Sequence, residues 1–465
     1  MLIRRAEIAP REIVDLRIAD GCIAEIGATL AAGPDEVVIE ARGHALLPGL
    51  HDHHLHLRAL AAAMASVRCG PPLVGTADAL VAALQAAHQR LAPGEWLRGI
   101  GFHESIVAEL DRDWLDVVLP DRPLRIQHRS GRLWVLNSAA LDALAPDQDA
   151  PLERRDGRWT GRLLDADDWL RARLRGTPPG LQAASRYLAS RGVTGVTDTT
   201  HHNGPEALHS FAEAQARGEL LQTVRVMGDA SLDGERDGTG VQCGEHKFHL
   251  HEHELPELDA LVAAIRTSRA QGRASAFHCV TRTELVYALA ALREAGASYG
   301  DRIEHAAIAP PELVDEIAAL KLTVVTQPHF IAERGDDYRR DVDPGDQPWL
   351  YRLRGFLDAG VPLALSTDAP FGEPDPWAAM YAATRRSTPS GARIGADEAL
   401  TAKQALAGFL APLEAAGAVP RHLLVGATAD LCLLENDWSS MFRDFASVRV
   451  RVTVRGGREL YRNGE

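Results

Sequence analysis

Side chains suited to metal chemistry follow a series of apolar, strand-like segments along this chain. They are His54 and His56 after ALLPGL, Lys247 in EHKFHLHE, His278, His305 and Asp368. Histidine and carboxylate side chains are the usual ligands of zinc and similar divalent ions. Because residues i and i+2 of a strand point the same way, His54 and His56 can hold one ion between them. One such pair is a weak signal, but the ordered series predicts a metal site.

Short strands and amphipathic helices alternate through the middle of the chain. The predicted strands are GVTGVTDTTHH (192–202), RASAFHCV (273–280), DRIEHAAI (301–308), LTVVTQPHFI (322–331) and VPLALSTDAPF (361–371). Strands that alternate with helices in this way indicate a parallel sheet with βα crossovers. We therefore predict an α/β fold, a (β/α)8 TIM-like barrel. In such a barrel the catalytic groups lie at the carboxyl ends of the strands, where the candidate residues fall.

Both ends of the chain show the alternation of antiparallel strands. Residues 1–46 contain EIVDLRIADGCIAEIG with a hairpin turn at Asp20-Gly21, and residues 423–465 contain VRVRVTVRGGRELYRNGE with a turn at Gly456-Gly457. We predict a small β-sandwich built from both termini. The barrel is expected over residues 47–422, with an irregular insertion at about 95–190.

Composition argues against several classes of protein. The 465 residues are 46% hydrophobic and 25% charged, as in a soluble globular protein. A net charge of −14 without a basic stripe argues against nucleic acid as a partner. No apolar run reaches the roughly 18 residues of a membrane helix. Five scattered cysteines without a CxxC pair, and a start without an apolar signal segment, favour the cytoplasm. The expected partner is a small-molecule substrate, and a homo-oligomer is left open.

The motif PGLHDHHLH (48–56) resembles the first-strand motif P-G-x-x-D-x-H-x-H of the amidohydrolase superfamily of metal-dependent hydrolases. The resemblance continues through the later candidate residues to GATADLCLL (426–434), so it covers nearly the whole chain. LDRDWLDVVLPDRPLRIQH, SGRLWVLNSAAL (130–141) and DGRWTGRLLD are similar to the branch that contains N-substituted formamide deformylase. That branch usually has histidine where this chain has Arg132, and a DG pair where this chain continues as HLHEHELP.

The resemblance implies a role for each candidate residue. His54, His56 and Asp368 would hold one ion, and His278 and His305 a second, with two Zn²⁺ expected. Lys247, carboxylated by CO2, would bridge the ions, because an unmodified ammonium has no lone pair to offer. Arginine cannot replace it, since its guanidinium stays charged. The chain has three lysines beside 47 arginines, and one of the three falls on this position.

The function implied is hydrolysis of a carbon–nitrogen bond other than a peptide bond, in an N-acyl or N-formyl amide. A bound divalent ion lowers the pKa of water to about 7, and the resulting hydroxide attacks the carbonyl. Asp368 would accept the water's proton and pass it to the leaving nitrogen, as a general base and then acid. One alternative is a mononuclear deaminase or cyclic amidase, in which Lys247 pairs with Glu245 or Glu252. Another is a non-catalytic barrel used as a binding module.

Several other histidines and a few neighbouring residues receive separate assignments. Those that share the parity of Lys247 are predicted to be loop groups beyond the barrel mouth: His249, His251 and His253. His51 and His53 have the wrong parity to ligate, whereas Asp52 is expected to orient a ligand histidine. Further strand-end candidates for the pocket wall are His103, His128, His201, His202 and His329. Residues assigned to packing are Cys279, Trp114, Trp134 and Trp169.

Overall fold

The computed structural model describes residues 1–71, 73–174 and 179–464. The chain divides into two compact units, one of Met1–Leu57 with Leu181–Glu465 and one of Arg58–Gly180. This division leaves the predicted boundaries 1–46, 47–422 and 423–465 untested, and they stay predictions. Residue 72 and residues 175–178 of the predicted barrel segment, and residue 465, lie outside the described residues.

The first unit contains the predicted barrel, an eight-stranded parallel sheet whose strands follow one another in chain order. The strands are β1 (Leu50–Leu55), β2 (Val193–Asp198), β3 (Thr223–Gly228), β4 (Val241–His249), β5 (Ser275–Cys279), β6 (Arg302–His305), β7 (Thr323–Thr326) and β8 (Leu363–Leu365). Their buried apolar side chains, such as Phe277, Ile303 and Val324, pack against the helices that connect them. The (β/α)8 fold is thus confirmed.

Helices follow most of the barrel strands and bury one apolar face each. The α-helices of this unit are Gln182–Ser190, Pro205–Ala216, Leu258–Ala270, Arg282–Ala295, Pro311–Ala319, His329–Asp341, Arg354–Asp358, Pro376–Arg385, Ala402–Ala407 and Trp438–Arg443. Short 3-10 turns cover Ala230–Leu232, Gln347–Trp349, Ala396–Glu398 and Phe445–Ser447. Helix Arg282–Ala295 illustrates why these segments are helical. Thr281 and Glu284 form a capping box at its start, and Leu285 and Leu289 face the core.

Each observed barrel strand is shorter than the segment predicted for it, and one of the predicted segments also contains the start of a helix. The segment LTVVTQPHFI (322–331) was expected to be extended throughout, but β7 ends at Thr326 and a helix begins at His329. The apolar residues Phe330 and Ile331 are buried from that helix instead of from the strand. A short apolar run fits a buried strand and a buried helix equally well, so periodicity alone could not place this boundary.

The two ends of the chain form two four-stranded sheets that share one hydrophobic core. In spatial order the first contains Cys22–Gly27, Glu12–Ala19, Leu2–Ala9 and Val38–Glu40, and the second contains Arg458–Arg462, Val450–Arg455, Leu431–Leu434 and Leu46–Pro48. Both predicted turns join paired antiparallel strands, with Gly21, Gly456 and Gly457 at positive φ. The predicted sandwich from both termini is therefore confirmed.

The second unit has regular structure where the sequence suggested an irregular insertion. Its six-stranded sheet runs, in spatial order, Leu152–Arg155, Arg158–Leu164, Leu133–Leu136, Leu124–His128, Leu97–Phe102 and Val67–Arg68. The helices between residues 57 and 180 are Leu57–Met64, Ala77–His88, Arg112–Val118, Ser138–Leu144 and Asp167–Arg173. Trp134 is buried in this unit's core, and Trp114 and Trp169 pack against its cores. The strands are short and rich in arginine, which weakens the alternation that identifies a strand.

Within the described part of the chain, none of the helices combines the length and apolar character needed to cross a membrane.

The first barrel strand and the residue after it are hydrogen-bonded to the segment that follows the last barrel strand. The Asp368 N–H donates to the His54 carbonyl at 2.7 Å, and the His56 N–H donates to the Ala369 carbonyl at 2.8 Å. The Asp52 carboxylate accepts the Thr367 N–H at 3.0 Å, the Thr367 hydroxyl at 2.5 Å and the His54 N–H at 3.3 Å. Asp52 is fully buried, and burial raises its pKa to about 6. This carboxylate thus fastens β1 to the segment that follows β8.

Replacing Asp52 tests this fastening. Asp52→Ala leaves buried N–H and O–H donors without an acceptor, and each such donor costs about 1–3 kcal/mol. We therefore expect Asp52→Ala to lower the urea midpoint of unfolding, followed by tryptophan fluorescence. Asp52→Asn keeps one acceptor oxygen and should lose less stability than Asp52→Ala. An alanine variant as stable as the parent would contradict the assigned role.

Candidate metal centre

Three candidate ligands converge at the seam between β1 and β8. His54 and His56 lie at the end of β1, and Asp368 follows β8 by three residues. One donor atom from each residue lies within 4.8 Å of the other two, and Asp368 Oδ1 lies 3.4 Å from both Nε2 atoms. Burial opposes ionisation of Asp368, but the neighbouring histidines outweigh it and hold its pKa well below the usual range. The result is a compact group of two imidazoles and one carboxylate.

Two further histidines form a second pair beside this group. His278 in β5 and His305 at the end of β6 approach through Nδ1 and Nε2 at 3.0 Å. The His305 ring lies 4.7 Å from the His54 ring, centroid to centroid, and its Nδ1 lies 3.9 Å from Asp368 Oδ2. Burial lowers the pKa of His305 to about 3 and holds that of His278 well below its usual range. Both imidazoles are therefore neutral near pH 7 and carry a lone pair.

Lys247, in β4, has a buried side chain in the same region. Its Nζ lies 3.9 Å from Glu304 Oε1 and has no hydrogen-bond partner among the described residues. Burial lowers the pKa of Lys247 to about 8. The partners considered from the sequence are engaged elsewhere, because Glu245 pairs with Arg225 at 3.1 Å and Glu252 accepts the Thr283 hydroxyl at 3.0 Å.

Glu304 is a site residue that the sequence reasoning missed. Its carboxylate is fully buried, lies 2.5 Å from His54 Nδ1 and pairs with Arg302 Nε at 2.6 Å. Burial opposes its ionisation, but Arg302, Lys247 and His54 outweigh that and hold its pKa well below the usual range. Glu304, and not Asp52, thus orients the His54 ring, while Asp52 binds the backbone. The available signal was that Glu304 directly precedes the candidate ligand His305. Strand alternation, however, predicts that the two side chains lie on opposite faces of the strand.

A second hydrogen-bonded chain orients His56. The Thr200 hydroxyl lies 2.9 Å from His56 Nδ1, and the Thr200 N–H donates to Asp198 Oδ1 at 3.1 Å. The other Asp198 oxygen accepts the Leu57 N–H at 2.7 Å, and Asn203 Nδ2 donates to Asp198 Oδ1 at 2.8 Å. With Nδ1 engaged in this way, Nε2 of His56 faces Asp368. Ligand histidines in metal sites usually have such a partner on the other ring nitrogen.

The remaining predicted residues lie in several places. His51 Nδ1 lies 3.0 Å from the Ala411 carbonyl, and His53 is fully buried. His249 is the last residue of β4, and its ring lies 4.4 Å from that of His278, nearer to the centre than expected.

His329 Nε2 lies 3.0 Å from the Thr367 carbonyl. His103 and His128 belong to the second unit, where their Nε2 atoms lie 3.7 and 2.9 Å from Glu104. Cys279 is buried in the barrel core.

Comparisons with known proteins agree in the family they indicate. The model of the amidohydrolase family matches residues 37–461. The N-substituted formamide deformylase of Arthrobacter pascens is 27% identical, over 90% of this chain and 89% of its own length.

Two solved structures share the fold. An uncharacterized metal-dependent hydrolase from Pyrococcus horikoshii OT3 has a TM-score of 0.77 at 20% identity, covering 94% of this chain and 97% of that chain. Atrazine chlorohydrolase TrzN from Arthrobacter aurescens TC1, solved in complex with zinc, has a TM-score of 0.55 at 14% identity and covers 99% and 95%. At these identities the likeness shows the fold alone.

The environment of Lys247 predicts an unusual titration. In metal-free protein in CO2-free buffer, we expect its ammonium to lose its proton near pH 8, because burial disfavours the charged form. The chain has three lysines, so labelling lysine with ¹³C at the ε-carbon should give three signals to follow by NMR. Lys321→Arg and Lys403→Arg assign the other two. A Lys247 midpoint near the ordinary lysine value of about 10.4 would show that this side chain is not buried as described.

Proposed function

This chain belongs to the amidohydrolase family and is a metal-dependent hydrolase of carbon–nitrogen bonds, and from that premise we propose that it hydrolyses an N-acyl or N-formyl amide. The observation that carries the proposal is the convergence of His54, His56 and Asp368 beside the pair His278 and His305. The substrate class is supported by the likeness to a protein named as an N-substituted formamide deformylase.

The donor set fits a divalent ion. Four imidazoles and one carboxylate are ligands that zinc accepts, and Asp368 Oδ1 has no hydrogen-bond partner among the described residues. We propose that His54, His56 and Asp368 hold one Zn²⁺ and that His278 and His305 hold a second. When bound, such ions polarise a carbonyl oxygen and lower the pKa of water to about 7.

We further propose that Lys247 is carboxylated on Nζ and bridges the two ions. Its buried side chain, its lowered pKa and its unpartnered Nζ support a neutral amine that can react with CO2. The reaction forms a C–N bond, moves one C=O electron pair onto oxygen and releases one proton from nitrogen.

One observation favours the mononuclear alternative, a deaminase or cyclic amidase. Glu304 Oε1 lies 3.9 Å from Lys247 Nζ, so an unmodified ammonium would have a buried counter-charge. In that case the lysine would stay a cation beside a single ion held by His54, His56 and Asp368. The number of ions per chain separates the two readings.

In the proposed reaction the protein's own residues position ligands and move a proton. Glu304 and Thr200 engage Nδ1 of His54 and His56, which leaves both Nε2 atoms directed at Asp368. Asp368 takes a proton from the attacking water and returns it to the leaving nitrogen.

The small-molecule substrate is proposed as the principal partner, and a cytoplasmic location is proposed with it. The five cysteines are free thiols, which suits a reducing compartment.

Asp368→Asn tests the proton transfer. Asparagine keeps the shape of the side chain but cannot take up a proton at this site. We expect turnover of an N-formyl amide to fall by roughly 10²–10⁴-fold, the usual value of a positioned acid or base. Metal content is measured in the same sample, because Asp368 is also a proposed ligand. Turnover within a few-fold of the parent, at equal metal content, would exclude Asp368 as the base.

Lys247 variants test the bridge. Lys247→Arg keeps a positive charge but cannot form a carbamate, so we expect loss of one ion per chain and of nearly all turnover. Lys247→Ala should regain part of its turnover when a short carboxylic acid is supplied, because that acid can occupy the bridging position. Lys321→Arg is the matched control and should change neither quantity. Normal turnover in Lys247→Arg would refute the bridge and favour the mononuclear reading.

A further inference from the structure

Five histidines outside the proposed ligand set form a contiguous row at the carboxyl ends of β2 and β4. This histidine row consists of His201, His202, His249, His251 and His253. His201 and His202 follow β2 by three and four residues, and His249 is the last residue of β4. His249 is half-buried, whereas the other four are exposed to solvent. The row is therefore reached directly from water.

The rings of the row are spaced as closely as the rings of the candidate centre. The His249 ring lies 4.6 Å from that of His201 and 4.4 Å from that of His251, centroid to centroid. For comparison, His54 and His305 are 4.7 Å apart and His278 and His305 are 4.6 Å apart. His202 and His253 extend the row, 5.0 Å from His201 and 5.6 Å from His251.

Packing alone gives a poor reason for this arrangement. Exposed imidazoles contribute little apolar burial, and they repel one another as soon as two are protonated. Histidine nitrogen is a common ligand of zinc, copper and nickel ions, and one ion shared between neighbouring rings would turn that repulsion into binding.

We propose that His201, His249 and His251 form an additional divalent-ion site that is open to solvent and adjoins the candidate centre, because the His249 ring also lies 4.4 Å from that of His278. The ion is of the class that imidazole prefers, such as Zn²⁺ or Ni²⁺. The site is weaker than the centre. Among the described residues, the group of three His, Cys, Asp or Glu donors that already lie within 4.8 Å of one another is His54, His56 and Asp368. The row must therefore close around its ion by side-chain rotation. This proposal does not depend on the hydrolytic reaction.

Metal counting on the whole chain tests the site. Protein without a polyhistidine tag is dialysed against a series of Zn²⁺ concentrations, and bound zinc is measured by elemental analysis. The parent is compared with the double variant His201→Ala/His251→Ala, which changes two exposed residues outside the proposed ligand set. His422→Ala, which removes another exposed histidine, is the matched control. The same pair of measurements is repeated in a His56→Ala background, which damages the candidate centre but leaves the row intact.

The expected result is that the double variant binds one ion fewer per chain than the parent, and that the missing ion is the more weakly bound one. His422→Ala should bind as the parent does, and the difference of one ion should persist in the His56→Ala background. Equal zinc binding by parent and double variant at every concentration would refute the site. A difference that disappears in the His56→Ala background would show that the row only supports the centre, which also overturns the proposal. Circular dichroism of each variant confirms that it is folded.

Discussion

The position of the candidate metal centre depends on the hydrogen bonds that the buried carboxylate of Asp52 accepts. This carboxylate binds the backbone of His54 in β1 and both the backbone and the hydroxyl of Thr367 beyond β8. The two neighbouring backbone hydrogen bonds involve His54, His56 and Asp368 themselves. The contact that brings the two ends of the sheet together is therefore the one that brings a carboxylate against two imidazoles. Barrel closure and assembly of the centre are one structural event.

A second constraint is the set of charges buried beneath the centre. Glu304, Arg302 and Lys247 are almost fully removed from water, where an unpaired charge is strongly unfavourable. Glu304 compensates Arg302 directly and stands 3.9 Å from Lys247, while its other oxygen engages His54. The lysine thus has a neighbour for its charged form but no hydrogen bond among the described residues to hold it in that form. The binuclear hypothesis requires a carboxylated Lys247, whereas the mononuclear hypothesis requires an unmodified ammonium.

Much of the fold could be predicted from the sequence, because strand ends, helix signals and hairpin turns are local. The candidate ligands were also visible, since His54 and His56 share one strand face. Glu304 was not, because alternation assigns Glu304 and His305 to opposite faces. His305 has a φ of 68° and Asp368 a φ of 51°, so regular alternation ends there, and both Glu304 and His305 reach the centre. The strands of the second unit were missed because they are short and charged. Tertiary context decided each of these points.

The central claim is that this chain holds two metal ions in the arrangement described, and anomalous X-ray diffraction from zinc-loaded crystals grown with bicarbonate tests it most directly. The account predicts one anomalous peak within bonding distance of His54, His56 and Asp368, and a second at His278 and His305. Zn–N distances of about 2.0–2.1 Å are expected, with added density on Lys247 between the peaks. A single peak at His54, His56 and Asp368, with an unmodified Lys247 directed at Glu304, would contradict the binuclear account.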